Sequence, residues 1–395
     1  MNMQLRPKKI SPPKKTFDLL PFLLPLPGIL VIAILSRYPR IIEIYYAQQL
    51  YPAFSQYLRA ATSILPFSLG DLLYLIAGVY SVLLMIRLIK NIRNKQLDKK
   101  QKLQPILSLW LLLTCSYIIF YCFWGMNYYR LGVTHQLQIK NQPYTQKELK
   151  DLCGDLVQNI NQLRSHPSFD QSLNTEKTTM LKDATIAYQH LSNKHPFLQP
   201  VAFSLKSSWY NTLGNYGGFL GYYNPFTGEG QINTQCPSFL QPFITCHELA
   251  HQLGYASESE ANFIGYLATT RSENIGMQYS GQLEMYLYAT GKLRQTDSIA
   301  AKKMYQQLHP FVKKDLKDYR NYLRKHETVF LEWTNDFYDF FLKSNNQQTG
   351  IYSYRDVVGW VIAYKKSQNS KGKTQKLFDS YVLLVVGFWC QLTDN

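Results

Sequence analysis

Cysteine is sparse and unpatterned. The six residues Cys115, Cys122, Cys153, Cys236, Cys246 and Cys390 show no metal-ligand spacing and no regular framework. A cysteine zinc module and a disulfide-built fold are thereby set aside, and only a Cys153–Cys236 bridge stays open. Acidic residues are also short, with 26 Asp and Glu against 42 Lys and Arg, a net charge of +16. The deficit is local. Residues 1–104 carry 15 Lys/Arg and 4 Asp/Glu, a net +11, which leaves +5 for the rest of the chain. Basic residues confined to the flanks of apolar runs orient a chain in a bilayer, and this placement argues against a nucleic-acid partner. A small-x-small cleavage site is missing after the first apolar run, which ends in Ser36-Arg37-Tyr38-Pro39-Arg40. That run therefore reads as an uncleaved span and not as a signal peptide.

What is present begins with three apolar runs, at about 19–36, 71–89 and 106–124, each near the length that crosses a bilayer. Pro21, Pro25 and Pro27 should kink the first. Arg87 in the second can snorkel. Residues 37–69 are amphipathic and rich in Tyr, which suits either an interfacial segment or a helix packed on the main domain. A basic tail (1–18) and a basic loop at 90–104 place both in the cytoplasm by the positive-inside rule. Residues 19–130 then form a multi-pass region in a bacterial inner membrane, and 131–395 a periplasmic or extracytoplasmic domain.

The chemistry is concentrated in Thr245-Cys246-His247-Glu248-Leu249-Ala250-His251. On a helix, His247 and His251 leave one face a turn apart, so two imidazoles can hold one zinc ion. Glu248, on the same side, suits a general base for a hydrolytic water. Gly254 reads as the helix stop. Ser257 reads as the next N-cap, with Glu260 as its capping-box partner. Glu258 then falls in the first turn of the second helix, within reach of the same metal.

This pattern resembles the gluzincin metallopeptidases, where a Glu on a later helix completes the zinc site in a segment written E-x-x-A-[D/N]. Glu258-Ser259-Glu260-Ala261-Asn262 matches it, which implies Glu258 as third ligand in place of Glu260 and Asn262 as the residue orienting a histidine. Metzincins would need His or Asp at Ser257. The spacing from His251 to Glu258 is shorter than in most gluzincins.

The remainder of 131–395 reads as mainly helical. Thr145-Gln146-Lys147-Glu148 is a capping box opening a helix to about Arg164, and a second helix is predicted over 175–191. Residues 200–234 read as a small sheet whose last strand, about 229–233, precedes the motif helix. That strand is either an edge that pairs with extended substrate or a packed hairpin. Helices are predicted over 261–275, 280–293, 298–308 and 311–343, with His309 and His326 solvated. A short closing helix starts near Ser353. Tyr354 and Arg355 at its start are candidate electrophiles for a tetrahedral oxyanion, with Tyr222 and Tyr223 behind them; the alternative is a plain helix N-terminus and a surface charge. Residues 381–390 are apolar but too short to span.

Over roughly residues 15–365 the chain also resembles a bacterial membrane family defined as a domain of unknown function. The resemblance is carried by Pro66-Phe67-Ser68-Leu69-Gly70-Asp71, by Trp124-Gly125-Met126-Asn127-Tyr128-Tyr129-Arg130, and by Tyr222-Tyr223-Asn224-Pro225-Phe226-Thr227-Gly228-Glu229. The zinc segment and Ser353-Tyr354 complete it. The expectation is three N-terminal transmembrane helices followed by a mainly α (α+β) gluzincin-like zinc metallopeptidase domain with a small sheet beside the HExxH helix. Its substrate would be a peptide or protein of the cell envelope, its cofactor Zn2+, its setting the lipid bilayer. The alternatives are a non-catalytic zinc-stabilised envelope-binding module and a hydrolase of peptidoglycan peptides. A periplasm-dependent reporter fused after Arg130 is expected to be active; an inactive one would overturn the orientation.

Overall fold

The computed structural model describes residues 20–94, 99–139, 143–173, 176–348, 350 and 357–370. The first apolar run is not one span. A turn of helix at Leu20–Leu23 is followed by α1 (Leu26–Leu35), because Pro25 and Pro27 cannot donate into a continuous ladder. Ten residues rise only about 15 Å, half of a bilayer core. The expectation of three spans is corrected to two candidates. After a π-helical stretch (Ile42–Leu50) and α2 (Tyr51–Ser63) come α3 (Leu69–Arg93) and α4 (Lys99–Phe123). These two are long and apolar enough to cross a membrane, and only 6% and 11% of their apolar windows are buried. A core helix of a water-soluble protein would bury its apolar side, so this exposure speaks for membrane association.

The start of α3 is docked onto the sheet. Ser68 caps it by accepting from Asp71 N at 3.1 Å, and the Glu229 carboxylate accepts from Leu69 N and Gly70 N at 3.2 and 2.7 Å. An anion at a helix N-terminus answers the unpaired N–H groups there. This contact joins two of the segments singled out in the sequence, 66–71 and 222–229.

The main body follows with α5 (Gln146–Arg164), opened by the expected Thr145–Glu148 capping box, and α6 (Lys177–Ser192). Next come β1 (Leu205–Ser207), α7 (Asn211–Gly217), β2 (Gly221–Asn224) and β3 (Glu229–Ile232). The stretch read as continuous sheet is thus interrupted by α7. Strand order is β1-β3-β2, with β1 parallel and β2 antiparallel to β3. The strand expected at the edge, β3, is central; β2 is the edge strand on the side of the site. Then come α8 (Gln241–Gln252), α9 (Glu258–Thr269), α10 (Ile275–Thr296) and α11 (Ser298–Gln306). The helix expected over 311–343 is two, α12 (Pro310–Lys325) and α13 (Val329–Ser344), parted at His326–Thr328. His326 is buried, with Nδ1 on Tyr322 O at 2.8 Å, and is not solvated. Residues 357–370 are helical; 351–356, 371–395 and the tail 1–19 lie outside the described residues. One core unites α5, α6, α8, α9 and α10. Cys153 and Cys236 are buried in it as free thiols, so the bridge left open is not formed.

Segments on the membrane side are tied to this body by a buried ion pair. Arg130 donates to Glu43 through Nε and Nη2 at 3.0 and 2.9 Å, while Leu131 N and Gln136 Nε2 also reach the carboxylate. Burial opposes charge on Glu43, yet the Arg130 guanidinium and these donors hold its pKa down at about 2. A carboxyl lowered on folding stabilises the fold above its ordinary value of 4.5 and loses that contribution as pH falls toward 2. Glu43→Gln should cost roughly 3–5 kcal/mol at neutral pH by stranding Arg130. The difference from wild type should shrink on acidification below pH 4.5, as thermal unfolding in detergent would show. An unchanged neutral-pH stability would contradict the pairing.

Candidate metal centre

Three ligand atoms converge. Nε2 of His247 and Nε2 of His251 lie 3.1 Å apart, and Glu258 Oε2 lies 3.1 and 3.7 Å from them. All three atoms fall within 4.8 Å of one another, the one such His/Cys/Asp/Glu group among the described residues. The helices deliver them as local sequence rules suggest. Gly254 ends α8 at φ +84°, with Tyr255 N on Ala250 O and Gly254 N on His251 O at 3.3 and 2.9 Å, a Schellman closure. The chain turns back and α9 starts after Ser257.

The expected capping box is not made, since the Ser257 side chain caps nothing. Glu260 instead accepts from Val133 N at 2.6 Å and faces away from the cluster. Sharing one helical turn, the two acids therefore part: Glu258 meets the histidines and Glu260 fastens the 131–133 turn.

Each imidazole has its far nitrogen fixed. His247 Nδ1 lies 2.8 Å from Asn262 Oδ1, and His251 Nδ1 lies 2.7 Å from Tyr255 O. Both acceptors place a proton on Nδ1 and leave the Nε2 lone pairs for an ion. Burial works against charge on His251, and the Glu258 carboxylate overrides it, lifting the pKa to about 9. Glu258 is also buried, but the imidazoles hold it well below the usual carboxylate range. Cations therefore suit the centre. Glu248 is 3% exposed, and its Oε2 has no hydrogen-bond partner among the described residues. Burial pushes its pKa up to about 7 against the pull of both histidines. An orphaned carboxylate oxygen beside two oriented imidazoles and a carboxylate fits a divalent metal of zinc type.

The cluster faces a cleft of about 540 Å³ with a largely aromatic wall. Edge strand β2 lines it, and Gly221 has to be Gly, because a Cβ there would sit 2.6 Å from Glu248 Oε1. Tyr222 and Tyr223 contribute rings but not free hydroxyls: Tyr222 OH engages Asp71 and Ser208, and Tyr223 OH lies 3.2 Å from Tyr51 OH. Tyr354 and Arg355 lie outside the described residues. The sequence reading missed Tyr338, whose hydroxyl donates to Glu258 Oε1 at 2.6 Å, and Gln347, which accepts from Glu258 N at 3.3 Å. It also missed Glu284 on α10, a cleft carboxyl whose pKa burial raises. Tyr338 and Glu284 come from helices remote in sequence, Gln347 from the turn after α13, and none carries a local motif.

The family model for DUF3810, described as a protein of unknown function, matches residues 46–362. The chain belongs to the DUF3810 family. No curated protein and no solved structure matches it. The matched DUF3810 span takes in both long apolar helices, the sheet and the whole ligand cluster.

The full chain is expected to carry about one zinc per molecule, lost in His251→Ala and Glu258→Ala and kept in Glu260→Ala. Asn262→Ala and Tyr338→Phe should weaken zinc about 10- to 100-fold in chelator competition, as losses of groups that orient ligands do. Equal loss in the two glutamate variants would undo the assignment.

Proposed function

We propose that this chain is a membrane-anchored zinc metallopeptidase that hydrolyses peptide bonds at the outer face of the cytoplasmic membrane. The observation that carries the reading is the buried Glu248, whose Oε2 has no hydrogen-bond partner among the described residues, beside the convergence of His247, His251 and Glu258. A structural metal site has no use for an extra carboxylate without partners, whereas a hydrolytic one needs a base there. His247, His251 and Glu258 would hold zinc, which when bound supplies a Lewis acid for the attacked carbonyl and its water. Glu248 takes the proton from the attacking water and returns it to the leaving amine. Asn262 and the Tyr255 carbonyl keep the imidazoles in register, and Tyr338 does the same for Glu258. The edge of β2 offers backbone groups to an extended peptide, which holds it without reading its sequence. Apolar rings from Phe120, Trp124 and Phe341 favour bulky apolar side chains in the cleft.

Full-length protein in nanodiscs, offered casein, apolar peptides and peptidoglycan stem peptides, should cleave at least one in a chelator-sensitive manner. Glu248→Gln should keep its zinc and lose turnover by roughly 100- to 10,000-fold. Cleavage at wild-type rate by that variant would remove the catalytic reading and leave a zinc-stabilised binding module.

A further inference from the structure

Helix α13 presents three unlike faces. Its inner face buries Leu342 and directs Tyr338 to Glu258. A charged flank carries Glu332, Asp336, Asp339 and Lys343 at helical spacing, with Lys343 and Asp339 paired at 2.6 Å. The third face is apolar and open: Val329, Trp333, Phe337 and Phe340, the last three each 69% exposed. Aromatic side chains bury about 150–250 Å² apiece when covered. At about 25 cal/mol per Å², leaving three of them in water is a large standing cost. Such a stripe marks a surface that something covers.

The neighbours of α13 indicate what covers it. Tyr210 and Leu213, at α7, share an apolar groove with Val79, Val82 and Leu83 of α3. Tyr210 OH donates to Asp71 O at 2.8 Å, so α7 begins at the first turn of α3, where the apolar stretch starts, and Trp209 and Leu213 beside it are half-exposed. Helix α13 is fastened to α7 by Thr334 Oγ1, which donates to Gly217 O at 3.0 Å. Its far end is fastened to α4, with Phe341 on the Phe120 ring at 6.2 Å and Tyr121 OH donating to Asn345 Oδ1 at 2.8 Å. Helix α13 is therefore held beside both apolar helices, through α7 at one end and against α4 at the other, with its open stripe exposed.

We propose that α13 is an interfacial membrane helix. Trp333, Phe337 and Phe340 sit at the boundary of headgroups and acyl chains in the bilayer that α3 and α4 enter. The charged flank faces water, as the physics of interfacial helices requires. This inference rests on the membrane reading of α3 and α4 and not on hydrolysis. Because Tyr338 is on the inner face of the same helix, the lipid boundary lies one helix away from the ligand cluster. The cleft is thereby a membrane-surface site.

The test uses tryptophan fluorescence of the full chain in phosphatidylcholine nanodiscs, with and without acyl chains brominated near the headgroup. The difference between wild type and Trp333→Phe isolates Trp333. That component should be quenched by the brominated lipid and shielded from iodide. In Phe337→Glu, which alters an exposed position and should leave circular dichroism unchanged, Trp333 should lose its lipid quenching. Trp110, near the middle of α4, is the internal control: the difference between wild type and Trp110→Phe should be quenched by acyl chains brominated near their terminal methyl when the spans are in the bilayer. Trp110 quenched while Trp333 is open to iodide would overturn the proposal and leave the spans in place. Trp333 shielded from lipid and iodide alike would also overturn it and point to a second copy on the stripe. Loss of quenching at both tryptophans would sink the membrane reading and the proposal together.

Discussion

The carboxyl end of α8 hangs from the membrane side of the protein. A helix ends with carbonyls that have no intrahelical donor, and in α8 these are the carbonyls directly after the second histidine. Trp124 Nε1 donates to His251 O at 3.2 Å, Tyr51 OH to Gln252 O at 2.9 Å and Arg59 Nη1 to Gln252 O at 2.7 Å. Arg130 Nη1 donates to Gly254 O at 3.0 Å. Two of the four donors are cations at the negative end of the helix dipole, where charge is favoured. A buried carbonyl stripped of every donor would cost about 1–3 kcal/mol, and here Gln252 O has two and His251 O also accepts from Gly254 N. The position of His251 is thus set from residues 51–130, although its chemistry belongs to the later part of the chain.

Three glutamates within one short segment show how environment divides a single side-chain type into separate tasks. Glu258 is kept charged by two imidazoles and by the Tyr338 hydroxyl. Glu260, two residues on, spends one oxygen on a backbone N–H and anchors a turn. Glu248 is buried against the sheet, its Oε2 without a hydrogen-bond partner among the described residues, and burial pushes its pKa up to about 7. None of these differences follows from the residue itself. They follow from which neighbour each carboxylate meets, and a helical turn separates those neighbours completely.

Local rules carried the sequence reading where a few adjacent residues decide the outcome. The histidine spacing, the Gly254 stop, the restart after Ser257 and the Thr145 capping box all belong to this kind. It failed where distant groups compete. Glu260 had a capping partner in sequence, but its carboxylate accepts from the distant Val133 N, and no local rule could foresee that competitor. Hydropathy alone could not show that prolines divide the first run into pieces too short to span. Nor could it show that His326 would be packed between Tyr216 and Tyr322 and would break one long helix into two. Tyr338 was invisible for the same reason: it stands on an amphipathic helix eighty residues after the glutamate it serves.

The order in which the chain is made follows from the donors to α8. Tyr51, Arg59, Trp124 and Arg130 all precede His247. During synthesis the two long apolar helices and their flanking segments leave the ribosome before the motif helix does. The seat is prepared first and the ligand-bearing helix arrives to find it. A nascent chain in which residues 51–130 failed to fold would leave the end of α8 without these donors. The ligand-bearing helix thus closes onto a part of the chain that was made before it.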